Sequence, residues 1–195
     1  MEFARAEALL EDSDQGDIAR LKKATCAFYG GDIPWAKTQL EVLLQSTSKS
    51  IANDALENAL MISANSVEDT LMEGLGLIRI PMLLEAQGKT TKAIANYKAL
   101  KNALIVHELY DDVCFKLGKL YVESAQWKAA LAEFALVQQA AGEGMWKEDA
   151  IFYIAKCRFE LKETKAQSAL EDYLLNYPAG LYFDQARTMY RTLAL

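Results

Sequence analysis

The chain has 195 residues, of which 52% are hydrophobic and 25% charged, so it can bury a substantial core beneath a soluble surface. A formal net charge of −6 and a pI near 5.0 argue against a nucleic-acid partner, whose phosphates are met by a basic excess. No run approaches the ~18 uninterrupted apolar residues of a membrane span, and MEFARAEALLEDSDQ lacks the basic-then-apolar pattern of a targeting peptide, so direct membrane insertion is not expected.

Apolar residues recur with a helical period along the whole chain, and strand signals are missing. Helices are predicted over 2–11, 17–29, 33–45, 51–64, 69–86, 90–104, 110–124, 127–140, 147–161, 164–176 and 181–193. The first either caps the chain or is the tail of a helix from an upstream repeat. In the next pair, Ala24 and Ala36 stand twelve residues apart around a Gly31-Asp32 turn, although Lys23 and Ala27 occupy places that want large apolar residues. The helix over 51–64 is amphipathic, with Ile51, Ala55, Leu56, Ala59, Leu60 and Ile62 on its apolar face. Pro81 then falls inside the helix over 69–86, where it removes a backbone hydrogen bond at a cost of ~3 kcal/mol. With Gly74 and Gly76 nearby, a kink or a late start is expected there. Joints are marked by Ser46-Thr47-Ser48, Ser66 with Asp69, Asp111-Asp112 and Gly142-Glu143-Gly144. After Pro178-Ala179-Gly180 the last helix sets Phe183, Ala186, Tyr190 and Leu193 on one stripe, as a closing cap would.

The segment from Cys114 to Phe134 carries the most specific pattern. It reads C-x2-L-G-x2-Y, followed by Ala130 and A-x3-F. Leu117 and Tyr121 lie one helical turn apart, and Gly118 between them leaves room for a second helix bearing Ala130 and Phe134. The pattern resembles the tetratricopeptide (TPR) helix-turn-helix signature, with Cys114 in the slot usually held by Trp. Related copies run through Leu77, Ile80, Leu84, Ala93 and Tyr97, and through Ile151, Ile154, Ala155, Ala166, Leu170 and Pro178. Ala93 to Ala130 is 37 residues and Ala130 to Ala166 is 36, near the TPR period, whereas Ala36 to Ala93 is 57 and accommodates the extra helix 51–64. The resemblance implies an all-α, right-handed TPR-like solenoid in one domain, 1–195, with repeats over about 17–46, 69–104, 110–141 and 147–178 and a cap over 181–193. More narrowly, GGDIPWAKTQLEVL, STSKSIANDALENALMI and LLNYPAGLYFDQAR resemble the C-terminal tract of bacterial TPR proteins with longer repeat arrays. Many such proteins are exported or envelope-associated. The resemblance thus implies a cell-envelope location for an excised C-terminal fragment and a cytoplasmic one for a complete chain.

Catalytic chemistry is sparsely supplied. His107 is the only histidine, and it stands at a joint, where a surface or capping role is expected over that of a general base. No P-loop, G-x-S-x-G or CxxC occurs, and no metal site or cofactor is expected. Cys26, Cys114 and Cys157 are far apart on apolar helical patterns and read as reduced, buried small hydrophobes. The carboxylates cluster near predicted helix starts, where they complement the helix dipole and cap free N–H groups.

A binding surface is the better-supported expectation. In TPR proteins the first helix of each repeat lines the concave side. By that resemblance the groove comprises Phe28 and Tyr29, then Ile78 and Met82, then Phe115, Lys119, Val122 and Glu123, and finally Phe152, Lys156, Phe159 and Glu160. The last two sets repeat the same Phe-Lys-apolar-Glu order 37 residues apart. The competing expectation is that Lys119/Glu123 and Lys156/Glu160 are solvating i, i+4 pairs and that the phenylalanines pack between repeats. The TPR clamp for a terminal carboxylate is not expected, because Phe115 and Phe152 fill two of its lysine or asparagine slots. The reading is a non-enzymatic module for a protein or peptide ligand. The alternative is an assembly tract that packs on its own N-terminal region or on a second copy, as a homo-oligomer.

Overall fold

The computed structural model describes residues 2–10, 13–46, 48–64, 73–140 and 145–193. Among them the regular structure is all α-helical: α1 (Glu2–Leu9), α2 (Asp14–Gly30), α3 (Ile33–Leu43), α4 (Lys49–Ala64), α5 (Glu73–Ala86), α6 (Thr90–Ala103), α7 (Tyr110–Glu123), α8 (Trp127–Ala140), α9 (Lys147–Glu160), α10 (Ala166–Asn176) and α11 (Phe183–Leu193). The all-α TPR-like repeat fold expected from the sequence is therefore present, and the predicted helix bounds agree to within a few residues. The expected joint residues Thr47, Ser66, Asp69 and 142–144, with the predicted helix start at 69, lie outside the described residues. The chain forms two compact units, Met1–Ala93 and Ile94–Leu195.

In the N-terminal unit α2 packs on α1 and α3, α3 on α4, and α5 on α2. Ser13 caps α2 by accepting the Gly16 N–H, and Asp32 caps α3 by accepting the Trp35 N–H. Ala24, Phe28, Ala36, Leu40, Leu43, Ala55, Ile62, Leu75 and Ile78 are buried in its core. The expected face of α4 needs correction. Leu56 and Leu60 are exposed and Met61 is buried instead, so the buried stripe is rotated by part of a turn. The helix α5 continues through a buried Pro81 to Ala86. The Arg79 guanidinium donates to the Tyr29 carbonyl at 2.6 Å, satisfying a carbonyl at the end of α2 and tying α5 to it.

In the C-terminal unit each of α7 to α11 packs on the next, and α11 also reaches α9. The expected close approach at Gly118 is observed: a Cβ there would lie 2.9 Å from the Phe134 ring, and Ala130 is fully buried. Gly180 serves the same purpose at the α10–α11 joint, where a Cβ would meet the Tyr173 hydroxyl at 2.7 Å and the Glu148 carboxylate. In α11 the buried residues are Ala186 and Met189, whereas Leu193, expected on that stripe, is exposed.

One device recurs at four hairpin turns. Gly31, Gly88, Ala125 and Lys162 each have positive φ, and each is followed by a residue whose N–H reaches back into the first helix: Asp32 to Ala27, Lys89 to Leu84, Gln126 to Tyr121 and Glu163 to Arg158. These are left-handed helix stops of the Schellman kind. Ala125 and Lys162 are 37 residues apart, so the 36-residue interval between Ala130 and Ala166 comes from one residue lost after the stop, not before it.

Two stability predictions follow from these contacts. Gly118→Leu drives a side chain into Phe134, and urea denaturation is expected to show a loss of ~1–3 kcal/mol or more; an unchanged midpoint refutes the packing described. Conversely, Ala125→Gly and Lys162→Gly relieve a left-handed conformation that costs an L-residue ~1 kcal/mol, so each is expected to raise stability by a few tenths to ~1 kcal/mol. A drop in melting temperature for both counts against the strained stop.

Candidate functional site

The C-terminal unit is built around a motif that appears twice. Asp112 and Phe115 lie one turn apart on α7, and Asp149 and Phe152 hold the same places on α9, 37 residues later. At the joint after α8, Trp146 stacks on Phe115 with centroids 3.9 Å apart, and its Nε1–H donates to the Asp112 carboxylate at 2.9 Å. At the joint before α11, Tyr182 stacks on Phe152 at 4.2 Å, and its hydroxyl donates to the Asp149 carboxylate at 2.5 Å. The Tyr173 hydroxyl donates to Glu148 at 2.7 Å, and Glu148 also accepts the Leu181 N–H at 2.8 Å. Burial, then the hydrogen bond to Asp149, holds the Tyr182 phenol well above its usual range, so the hydroxyl keeps its proton as a donor.

This arrangement corrects the anchor role expected of two phenylalanines. Phe115 is 4% exposed and Phe152 0%, each sealed beneath an aromatic ring from the following joint. Trp146 and Tyr182 cover the ring faces that a ligand would have to reach. Phe28, Ile78 and Met82 in the N-terminal unit are likewise buried and belong to its core. Tyr29 is half-buried beside Phe28, and burial followed by the nearby Glu85 pushes its hydroxyl up to about 12.

The remaining residues of the C-terminal set reach solvent. Lys119, Val122, Lys156 and Phe159 are half-buried, and Glu123 and Glu160 are exposed. The i, i+4 ion pairs do not form: the Lys119 ammonium turns across to Tyr153, donating to its hydroxyl at 2.8 Å and lying 4.8 Å from its ring centroid. Lys156 lies 5.8 Å from the same ring. Tyr153 is the residue the sequence reading missed. The buried Tyr153 ring stacks on Phe134 at 4.9 Å and packs edge-on to Phe115 and Phe152, so it joins α8 to α9 while its hydroxyl accepts from Lys119. The available signal was a Tyr next to Phe152 in the first helix of a repeat, an amphipathic ring with one apolar and one wet end.

Elsewhere the side chains answer to structural roles. His107 accepts the Leu109 N–H at 3.1 Å, as expected of a capping residue. Cys114 and Cys157 are buried, and burial pushes both thiols up to about 12, which removes thiolate reactivity at neutral pH. Cys26 is exposed, contrary to expectation, because it lies on the outer side of α2 between the buried Ala24 and Phe28. A surface depression of about 380 Å³ in the N-terminal unit is lined by Ser13, Asp14, Asp17, Arg20, Val42, Gln45 and Ser46, but Asp17 already accepts the Ser46 hydroxyl and Arg20 donates to Glu7. Among the described residues no group of three or more His, Cys, Asp or Glu side chains could hold a metal ion, and no helix is long and apolar enough to cross a membrane.

A family model for the tetratricopeptide repeat matches residues 149–179, the stretch from Asp149 through α10 to the joint before α11. No match is found among curated proteins. The chain therefore contains a tetratricopeptide repeat, a kind of repeat that generally mediates protein–protein interaction and is typically non-enzymatic.

The doubled motif makes a prediction of its own. Trp146→Phe keeps a ring on Phe115 but removes the indole N–H bond to the buried Asp112, and is expected to cost ~1–3 kcal/mol in urea denaturation. A midpoint within error of the parent protein shows that stacking alone closes this joint.

Proposed function

Starting from a chain that carries a tetratricopeptide repeat, we propose that the protein is a non-enzymatic protein-interaction module whose C-terminal unit receives a peptide or helix along the first-helix face of α7 and α9. The observation that supports this reading is the row of solvent-reaching residues Lys119, Val122 and Glu123 beside Lys156, Phe159 and Glu160, with the same chemistry at the same register on the two helices. Mixed apolar and charged positions at helical spacing suit an extended or helical protein segment better than a small molecule. The buried phenylalanines contribute by stiffening the platform, and a pre-stiffened surface loses less conformational freedom on binding.

An assembly role is the second reading, favoured by one observation in the N-terminal unit. The helix α1 buries none of its residues and leaves Phe3 exposed, and Leu9 and Leu10 are exposed beside it, a concentration of apolar surface suited to a second copy or to another segment of the same protein.

The two are separated by photocrosslinking in extracts of the source organism. With p-benzoylphenylalanine placed at Phe159, adducts with other proteins are expected, and they should be absent when the same group replaces the exposed Lys128 on α8. Adducts formed equally from both positions, or none from Phe159, rule out the groove. Adducts consisting only of a second copy of the chain transfer the role to assembly.

A further inference from the structure

Exposed apolar side chains of the C-terminal unit gather at one end of it. Among its described residues the large apolar side chains left exposed are Ile105, Val106, Met145, Leu175, Leu181 and Leu193. Ile105 and Val106 lie in the joint before α7, Met145 in the joint before α9 and Leu181 in the joint before α11, with Leu175 in the last turn of α10 leading into it. Because successive helices pack as hairpins, these joints share one end of the unit. The bonds from Trp146 to Asp112 and from Leu181 to Glu148 tie each later joint to the start of the first helix before it. The hairpin turns at the opposite end expose Ser124, Ala125 and Gln126, then Lys162, Glu163 and Thr164.

Both ends are made of loops, so the need for soluble connections does not explain why one is apolar. Val106 is 100% exposed and Leu181 76%, so neither gains from burial on folding. Single exposed apolar residues are ordinary, whereas a concentration of them in one place marks an interaction surface. The pattern also follows the clasp. Met145 and Leu181 each immediately precede the ring that stacks inward, Trp146 and Tyr182, and they stand 36 residues apart.

Charge narrows the choice of occupant. Residues 104–112, 145–149 and 177–185 hold six carboxylates against one lysine, Lys147. Glu108 is exposed and pairs with no cation among the described residues. Glu148 accepts from the Tyr173 hydroxyl and the Leu181 N–H, neutral donors that leave its negative charge beside the exposed Leu181. An anionic lipid surface is repelled by such an end, and two copies meeting through it bring like charges together. A segment with both apolar and basic residues is complementary on both counts.

We infer that the joint end of the C-terminal unit is a second docking surface, for a basic amphipathic segment of another protein whose apolar side chains settle on Val106, Met145 and Leu181 and whose Lys or Arg meets Glu108 and Glu148. The surface lies at the ends of the helices, apart from the groove along α7 and α9, and stands or falls independently of it.

The test uses the full chain and a random dodecamer peptide library displayed on phage. The library is first depleted on Val106→Ser/Leu181→Ser and then selected on the parent protein, which removes peptides that bind elsewhere. The survivors are expected to be enriched at least twofold over the input in Lys and Arg and in large apolar residues. The best of them is expected to lose affinity about tenfold on Glu108→Lys and to bind more weakly in high salt, whereas Glu108→Asp retains binding. All of the substituted side chains are exposed, and circular dichroism checks that each variant keeps the fold. If no peptide survives depletion, the joint end is not a docking surface; if the survivors lack basic residues, the stated partner chemistry is wrong. Two further results overturn the protein partner: co-sedimentation of the parent, but not the serine variant, with phosphatidylcholine–phosphatidylserine vesicles assigns the end to a membrane, and a dimer in sedimentation velocity that the serine variant loses assigns it to a second copy.

Discussion

The C-terminal unit depends on a clasp in which one aromatic residue does two jobs. Trp146 and Tyr182 each lay a ring on the phenylalanine of the preceding first helix and each pass a proton donor to the carboxylate one turn before it. The two requirements reinforce each other. A buried carboxylate left without a donor is costly, and a stacked ring alone tolerates sliding, but a ring whose N–H or O–H must also meet that carboxylate has one position. Each joint is thereby tied to a first helix, and the following helix starts from a fixed point.

The same clasp decides what is available for binding. With the phenylalanines covered, the chemistry presented to solvent is that of the half-buried Lys119, Val122, Lys156 and Phe159 and the exposed Glu123 and Glu160. Tyr153 is buried, its ring packed against Phe134 while its hydroxyl accepts from Lys119, so the residue couples the packing of α8 and α9 to the placement of that lysine. Sealed aromatics make a stiff support for a polar surface.

The turns show a different balance. Two of the four left-handed stops use glycine and two use Ala125 and Lys162, residues that adopt positive φ only with strain. The strain is sustained by the bonds from Gln126 to Tyr121 and from Glu163 to Arg158, which satisfy carbonyls at the helix ends, and by the packing of the hairpins they close. The one-residue contraction before α10 falls after the Lys162 stop, so α9 and its stop keep the 37-residue register set by α7 and Ala125.

By itself the sequence determined the helices, their bounds to within a few residues and the pairing of α2 with α3, α7 with α8 and α9 with α10, since these follow from a 3.6-residue apolar period and from local exceptions such as Gly118, whose missing side chain has to be matched by a close neighbour. The repeated Phe-Lys-apolar-Glu order was legible as well, and so was the capping place of His107. Which of those residues face a ligand was decided only by tertiary structure. A helical period gives the face of a residue but not what will cover it, and the rings over Phe115 and Phe152 arrive from joints some 30 residues downstream in the chain. Cys26, Leu56 and Leu60 turned outward for a related reason: an apolar stripe wider than the neighbouring helix leaves its edge exposed, and the angle at which two helices meet sets which edge that is. The pairing of Lys119 with Tyr153 in place of Glu123 belongs to the same class, because a partner across a helix interface is invisible to any count of residues along one helix.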